Sequence, residues 1–138
     1  EQVASLYPMR VLLAEDNMIN QKLAERVLEI FGYSISIANN GAEAVEMLQE
    51  NGYDLIFMDV MMPEMDGLEA TQTIRKSYTG KQPVIIAMTA NALKGDREIC
   101  IESGMNDYVS KPINTEEIRN LLVKYGSLIK SGAEVYST

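Results

Sequence analysis

The sequence predicts a doubly wound α/β domain: a five-stranded parallel sheet with five helices on its two faces. Three observations lead to this. Five short apolar runs alternate with five stretches of helical period, and a parallel sheet covered on both faces produces that alternation. The runs are almost purely apolar inside, yet their carboxyl ends carry Glu15-Asp16, Asp59, Thr89 and Lys111. Doubly wound sheets place ligands at that edge. A length of 138 residues with 46% hydrophobic content suits one globular domain with its own core.

Each element has its own signal. Residues 1–8 (EQVASLYP) show no clear period and end in Pro8, so they read as a linker or tag remnant before a domain at 9–126. Arg10–Ala14 (RVLLA) is the first strand. Leu23, Ala24, Val27, Leu28 and Phe31 form one face of a helix over Asn20–Phe31, which Gly32 ends. Ser34–Ala38 (SISIA) is the second strand. Asn39-Asn40-Gly41 turns the chain into a helix over Ala42–Asn51, with Ala44, Val45 and Leu48 inward and Gly52 as its stop. Asp54–Asp59 (DLIFMD) is the third strand. The loop VMMPEMDG follows, then a helix over Leu68–Ser77. Pro83–Thr89 (PVIIAMT) is the fourth strand. Leu93–Ser103 is a weaker helix, with Gly95 inside it, a poor apolar stripe and Gly104 at its end. Asp107–Ser110 (DYVS) is the fifth strand. Thr115–Tyr125 is the last helix, with Ile118, Leu121, Leu122 and Tyr125 spaced i, i+3, i+4 and i+7. Asn114 with Glu117, Asn40 with Glu43, and Asp66 with Glu69 have capping-box spacing. Residues 127–138 read as a C-terminal tail.

Composition narrows the chemistry. Twenty Asp+Glu against twelve Lys+Arg give a net charge of −8, and no basic stripe is present for nucleic acid. Histidine is absent, which excludes His-based acid–base catalysis, Ser-His-Asp and Cys-His nucleophiles, and His-ligated zinc or copper. Carboxylates, Lys, Ser/Thr and backbone remain. The single cysteine, Cys100, cannot form an intramolecular disulfide; it reads as inert packing in a reducing compartment. The longest apolar runs (VLLA, LIFM, VIIAM) are far shorter than the roughly 20 residues of a membrane span. No basic-then-apolar leader precedes them. A chain that begins at Glu1 reads as a piece of a longer protein, cytoplasmic in this part, with a parent that membrane anchoring would not contradict.

The strand ends define a candidate site. Two doubly wound strand orders suit this alternation; if the order is 2-1-3-4-5, strands one and three are neighbours at the switch point, and Asp16 and Asp59 share a crevice with Glu15. Thr89 and Lys111 approach from the other side. Two like charges ~4 Å apart repel by about 4 kcal/mol at an effective dielectric of 20. Either a raised pKa or a bound cation relieves this. Oxygen ligands suit Mg2+, which in turn suits a phosphoryl ligand. With Asp59 as nucleophile the product is an aspartyl phosphate.

AEDNMINQK, MDVMMPEMDG, AMTANAL and DYVSKPI stand in that order, from about Arg10 to Tyr125. Together they resemble the receiver domain of bacterial two-component systems, and EDNMINQK and MTANAL are most similar to the receivers of hybrid sensor histidine kinases. The resemblance implies a flavodoxin-like fold of strand order 2-1-3-4-5 and a phosphoacceptor function in a phosphorelay. It implies that Asp59 accepts the phosphoryl group from a partner histidine. Asp16 would bind Mg2+ directly, Glu15 directly or through water, and Met61 through its backbone carbonyl. Lys111, with a cis bond to Pro112, would pair with the phosphoryl oxygens. Thr89 would hydrogen-bond the phosphoryl group, and Tyr108 would turn inward as Thr89 moves. Met61 and Asn91 occupy positions that tune phosphate lifetime in the family. The implied partner is a histidine kinase or histidine phosphotransfer domain, with no nucleic acid or membrane contact by this domain. A weak homodimer through the fourth and fifth helices belongs to the family habit. Such a domain is not a conventional enzyme, although it catalyses its own phosphorylation and dephosphorylation.

Two rival readings lack residues they require, and a third leaves residues unused. A haloacid-dehalogenase-like phosphatase wants a second Asp two residues after the nucleophile, where Met61 stands, and a longer chain for its cap. A flavodoxin-like flavin carrier wants a hydroxyl-rich loop after the first strand, where AEDNMIN is acidic. A pseudo-receiver used only for docking has no need of the Asp, Thr and Lys set. The methionines Met58, Met61, Met62, Met65 and Met88 read as packing and loop filling, because no Cys or His joins them for copper. Asp66-Gly67 reads as turn and cap chemistry.

Overall fold

The structure, a computed structural model, describes residues 2–90 and 93–136. Its elements in chain order are α1 (Val3–Leu6), β1 (Val11–Ala14), α2 (Met18–Ile30), β2 (Ile35–Ala38), α3 (Gly41–Asn51) and β3 (Leu55–Asp59). They continue with α4 (Gly67–Ser77), β4 (Val84–Thr89), α5 (Lys94–Glu102), β5 (Asp107–Ser110) and α6 (Thr115–Lys130). The five strands form one parallel sheet in the order β2-β1-β3-β4-β5, as the resemblance implied.

Strand alternation sorts the core into two layers. Val11, Leu13, Leu55, Phe57, Val84 and Ile86 face α2 and α6, meeting Ala24, Val27, Leu28, Ile118 and Leu122. Leu12, Ala14, Ile56, Met58, Ile85 and Ala87 face the other way, against Ala44 and Leu48 of α3, Ala70 and Ile74 of α4, and Cys100 of α5. Successive side chains of a strand point to opposite faces, so one uninterrupted apolar run serves both layers. The thiol of Cys100 is pushed up by burial and by the nearby Asp96 carboxylate, which fits its expected inert role.

The helix starts follow from caps. Asn40 accepts from the Glu43 N–H at 2.8 Å, Asp66 from Glu69 N–H at 2.8 Å, and Asn114 from the N–H groups of Glu116 and Glu117 at 2.8 and 3.1 Å. Asn17 starts α2 in the same way, accepting from Asn20 N–H at 3.0 Å. The sequence reading began that helix two residues late because Met18 and Ile19 lie outside the apolar stripe; they are 68% and 78% exposed. By contrast, Leu93 gives α5 no side-chain cap, in keeping with its weak pattern.

Both chain ends depart from the expected linker and tail. Residues 3–6 form one helical turn, too short to show a period. Val3 is buried, Ala4 N–H donates to the Phe31 carbonyl at 2.9 Å, and Tyr33 Oη donates to the Tyr7 carbonyl at 2.5 Å. A helix interior containing Gly126 also runs past the expected end at Tyr125. A Cβ at residue 126 would meet Tyr7 Cβ at 2.7 Å, so the glycine permits this close approach of the N-terminal segment to α6.

Arg75 joins α4 to the β4 and β5 entrances. It is 6% exposed, and its Nε donates to the Gly104 carbonyl at 2.9 Å. One terminal nitrogen donates to the Pro83 carbonyl at 2.7 Å and the Gln82 Oε1 at 3.0 Å, the other to Asn106 Oδ1 at 2.8 Å. Burial lowers its pKa to about 10, so it stays charged at neutral pH. Lysine cannot reproduce the planar fork. Arg75→Lys is therefore expected to strand at least one buried carbonyl and lower stability by about 1–3 kcal/mol, read from the urea midpoint at pH 7. An unchanged midpoint would refute this role.

Candidate phosphoacceptor site

The site forms where β1, β3, β4 and β5 end. Asp59 pairs in register with Met88, and β3 extends one residue beyond the last β1 partner, Met58. Asp59 therefore stands at the tip of the central strand, 3% exposed. The next residues turn away at once: Met61 N–H donates to Asp59 Oδ1 at 3.2 Å, and Gly67 N–H donates to the Val60 carbonyl at 3.0 Å. A Cβ on Gly67 would collide with the Asp59 carbonyl oxygen and come within 2.9 Å of Met58 Cγ, so glycine lets α4 begin directly beneath the aspartate.

The structure brings together the charged residues named from the sequence. Glu15, Asp16 and Asp59 offer ligand oxygens within 4.8 Å of one another. Lys111 Nζ lies 2.9 Å from Glu15 Oε1 and 2.9 Å from Asp59 Oδ2. Glu15 is buried and also accepts from Asn17 N–H at 3.0 Å, whereas Asp16 is the exposed member of the trio. Thr89 is 8% exposed, and its carbonyl accepts from the Lys111 N–H at 2.8 Å. This bond ties the fourth and fifth strand ends together. The Lys111–Pro112 bond is cis.

Burial raises the Asp59 carboxyl from 3.8 to about 6, and the charge on Glu15 adds to that, against the opposing pull of Lys111. Burial would also raise Glu15, but the Asn17 N–H and then Lys111 outweigh it and hold Glu15 below its ordinary value. Lys111 is raised: its two carboxylate partners overcome the cost of burial. The two carboxyls are thus pushed in opposite directions, Asp59 up and Glu15 down. Of the two anticipated routes for relieving the repulsion, the raised Asp59 carboxyl corresponds to the first. An all-oxygen, carboxylate-rich donor set equally fits the second, a hard divalent cation such as Mg2+.

Tyr108 is half-buried on β5, and the Arg97 guanidinium lies 4.6 Å from its ring centre. It sits apart from the carboxylates, on the α5–β5 face. The Met61 side chain is 76% exposed. Asn91 lies outside the described residues. One residue near the site was missed by the sequence reading. Gln21 donates from Nε2 to the Glu15 carbonyl at 2.5 Å and to Asn39 Oδ1 at 2.9 Å. Nothing in its spacing distinguishes it from a solvated helix residue.

Comparison with known proteins agrees with the geometry. The family model described as response regulator receiver domain matches residues 11–123. The hybrid signal transduction histidine kinase B of Dictyostelium discoideum is 44% identical over 126 residues, covering 83% of this chain and 6% of the relative. The signal transduction histidine-protein kinase BarA of Escherichia coli K12 is 39% identical over 125 residues, covering 89% of this chain and 14% of the relative. The chain thus spans a small part of these relatives. Among solved structures, the receiver domain of sensor histidine kinase PA1611 from Pseudomonas aeruginosa PAO1, with a magnesium ion coordinated in its active site cleft, is 41% identical. Its TM-score is 0.79, with 86% of this chain and 98% of that chain covered. The receiver domain of the Saccharomyces cerevisiae response regulator Ssk1, crystallised with the histidine phosphotransfer protein Ypd1, is 34% identical. Its TM-score is 0.81, with 88% and 90% covered. Sequence motif, strand order and family match converge: this chain belongs to the response regulator receiver domain family of two-component phosphorelays.

Proposed function

We propose that the domain takes a phosphoryl group from a partner histidine onto Asp59, and that the modified carboxylate resets the domain's surface. One observation carries this reading. Asp59 is buried at the switch point of the sheet, 2.9 Å from Lys111 and within ligand reach of Glu15 and Asp16. The chain has no histidine of its own, so the donor lies on another domain. As a carboxylate, Asp59 attacks phosphorus. The Oδ–P bond forms as the donor N–P bond breaks, and the imidazole nitrogen keeps the electron pair.

Asp16, Asp59 and the Met61 backbone carbonyl would hold Mg2+, with Glu15 a direct or water-mediated ligand. Bound Mg2+ offsets the negative charge of the crevice and of the incoming phosphoryl oxygens. Lys111 pairs with one of those oxygens, and the Thr89 hydroxyl donates to another. Phosphorylation adds roughly −1.5 to −2 charges, which draws Thr89 and Lys111 inward. Tyr108 follows Thr89, leaving its contact with Arg97. Hydrolysis at the same carboxylate returns the domain to its first state.

A histidine kinase or histidine phosphotransfer domain is the partner this reading requires, and the Ssk1 complex supports it. Met18, Ile19, Leu23 and Met61 expose an apolar rim beside the acidic crevice, which suits a protein donor better than a free metabolite. The similarity to hybrid kinases favours such a parent, with this domain on the cytoplasmic side. No described helix is long and apolar enough to cross a membrane.

Intact mass after incubation with acetyl phosphate, with and without Mg2+, tests the reading. The expected result is a Mg2+-dependent gain of one phosphoryl group. No gain in a protein shown by calorimetry to bind Mg2+ would leave a docking module in place of a phosphoacceptor.

A further inference from the structure

Asp16 occupies a turn that electrostatics tends to open. Lys111 sets one positive charge against the two of Glu15 and Asp59, and its ion pairs do not include Asp16, which is exposed. Repulsion from two neighbouring carboxylates within 4.8 Å therefore drives Asp16 outward when no cation is present. One side chain outside the acidic set opposes that movement. Gln21, near the start of α2, donates to the Glu15 carbonyl at 2.5 Å. That oxygen belongs to the peptide joining Glu15 to Asp16, so holding it fixes the plane from which Asp16 departs. The amide of Gln21 is aimed by its second bond, to Asn39 Oδ1 at 2.9 Å. Asn39 is anchored in turn, since its backbone N–H and Nδ2 both donate to Glu43 Oε1 at 3.2 and 3.0 Å. The relay Glu43–Asn39–Gln21 thus ties the β1–α2 turn to the start of α3.

We propose that Gln21 is a positioning residue for the cation site, holding the Glu15–Asp16 peptide so that Asp16 stays beside Asp59 before any cation arrives. The inference rests on the phosphoacceptor reading. Partners that orient metal ligands typically change metal affinity by about 10–100-fold when lost. Gln21 acts through a backbone oxygen, so an effect at the low end of that range is expected.

Calorimetric Mg2+ titrations of the wild type, Gln21→Met, Asn39→Ala and the double variant at pH 7.5 test this, alongside thermal unfolding of each metal-free protein. Gln21→Met is expected to weaken Mg2+ binding about tenfold. Its acetyl phosphate labelling at saturating Mg2+ should stay within about twofold of wild type, because Asp59 and Lys111 are untouched. Asn39→Ala should weaken binding less, and should add nothing in the Gln21→Met background. If wild type binds Mg2+ and Gln21→Met binds within about twofold of it, the inference is wrong, even if the variant's melting temperature falls. Additive losses in the double variant would also overturn it. A wild type that binds no Mg2+ removes the phosphoacceptor reading as well.

Discussion

Asp59→Asn is expected to lose phosphoryl acceptance completely and, in the same protein, to make the metal-free domain more stable. The first effect follows from chemistry, because an amide oxygen is not a carboxylate nucleophile at this site. The second follows from burial. Asp59 has a carboxyl raised from 3.8 to about 6 and is 3% exposed. A raised acid binds its proton more tightly when folded. Its contribution is fully present below about pH 4 and is lost as pH rises through about 6, by up to about 3 kcal/mol. Glu15, held below its ordinary value, works in the opposite sense and offsets part of that loss. The net gain from Asn at pH 7.5 without metal is therefore about 1–3 kcal/mol. Urea unfolding of both proteins between pH 4 and 7.5 checks it. Wild type should show a fall over the titration range of Asp59 that the variant lacks. Identical pH profiles would contradict the electrostatic account. Labelling of the variant would contradict the assignment of the acceptor. Mg2+ competes with the same proton, so metal affinity should fall as pH drops below about 6.

Lys111→Met is expected to do the reverse to stability while also impairing transfer. The ammonium is the partner of two buried carboxylates, at 2.9 Å from each. Methionine keeps most of the stem and removes the charge. Breaking a buried pair by deleting one partner costs about 3–5 kcal/mol. Asp59 is already protonated readily, so part of that cost should vanish near pH 5 and part should return as stability when Mg2+ is added. Loss of a charged donor aimed at a phosphoryl oxygen should slow acetyl phosphate labelling by about 10²-fold or more. Labelling at the wild-type rate by a folded variant would remove Lys111 from the mechanism. A midpoint unchanged at pH 7.5 without metal would show that the ion pairs add nothing.

The two variants separate contributions that a static site merges. Asp59 is strained electrostatically because its carboxylate lies within 4.8 Å of two others. Lys111 makes that placement tolerable. Their opposite expected effects on metal-free stability are the signature of a site that gives up folding energy for charge density.

How far this was legible in the sequence depends on the kind of contact. The strands and most helices could be read because their signals are local: apolar runs, Gly stops at Gly32, Gly52 and Gly104, and caps at Asn40, Asp66 and Asn114. The acidic pair, Asp59, Thr89 and Lys111 could be named because all stand at the carboxyl ends of strands, the edge where a doubly wound sheet gathers its ligand groups. The α1 turn could not be read, since four residues show no period. Its docking depends on Gly126, more than a hundred positions away. Arg75 carries no local signal that sets it apart from any basic residue in the last turn of a helix. Its carbonyl partners come from the segments before β4 and β5.

The order and type of the elements, and the residue types that collect at the sheet's carboxyl edge, are written in the chain itself. Periodicity, capping and turn chemistry act between near neighbours, so they are written along the chain. The fold was needed to show that Asp59 is pushed up while Glu15 is held down, that Lys111 bridges both, and that Asn39 aims Gln21 at the acidic turn. Those outcomes turn on burial and on distances of about 3 Å between segments far apart in sequence. Electrostatic and hydrogen-bond energies change steeply over such distances.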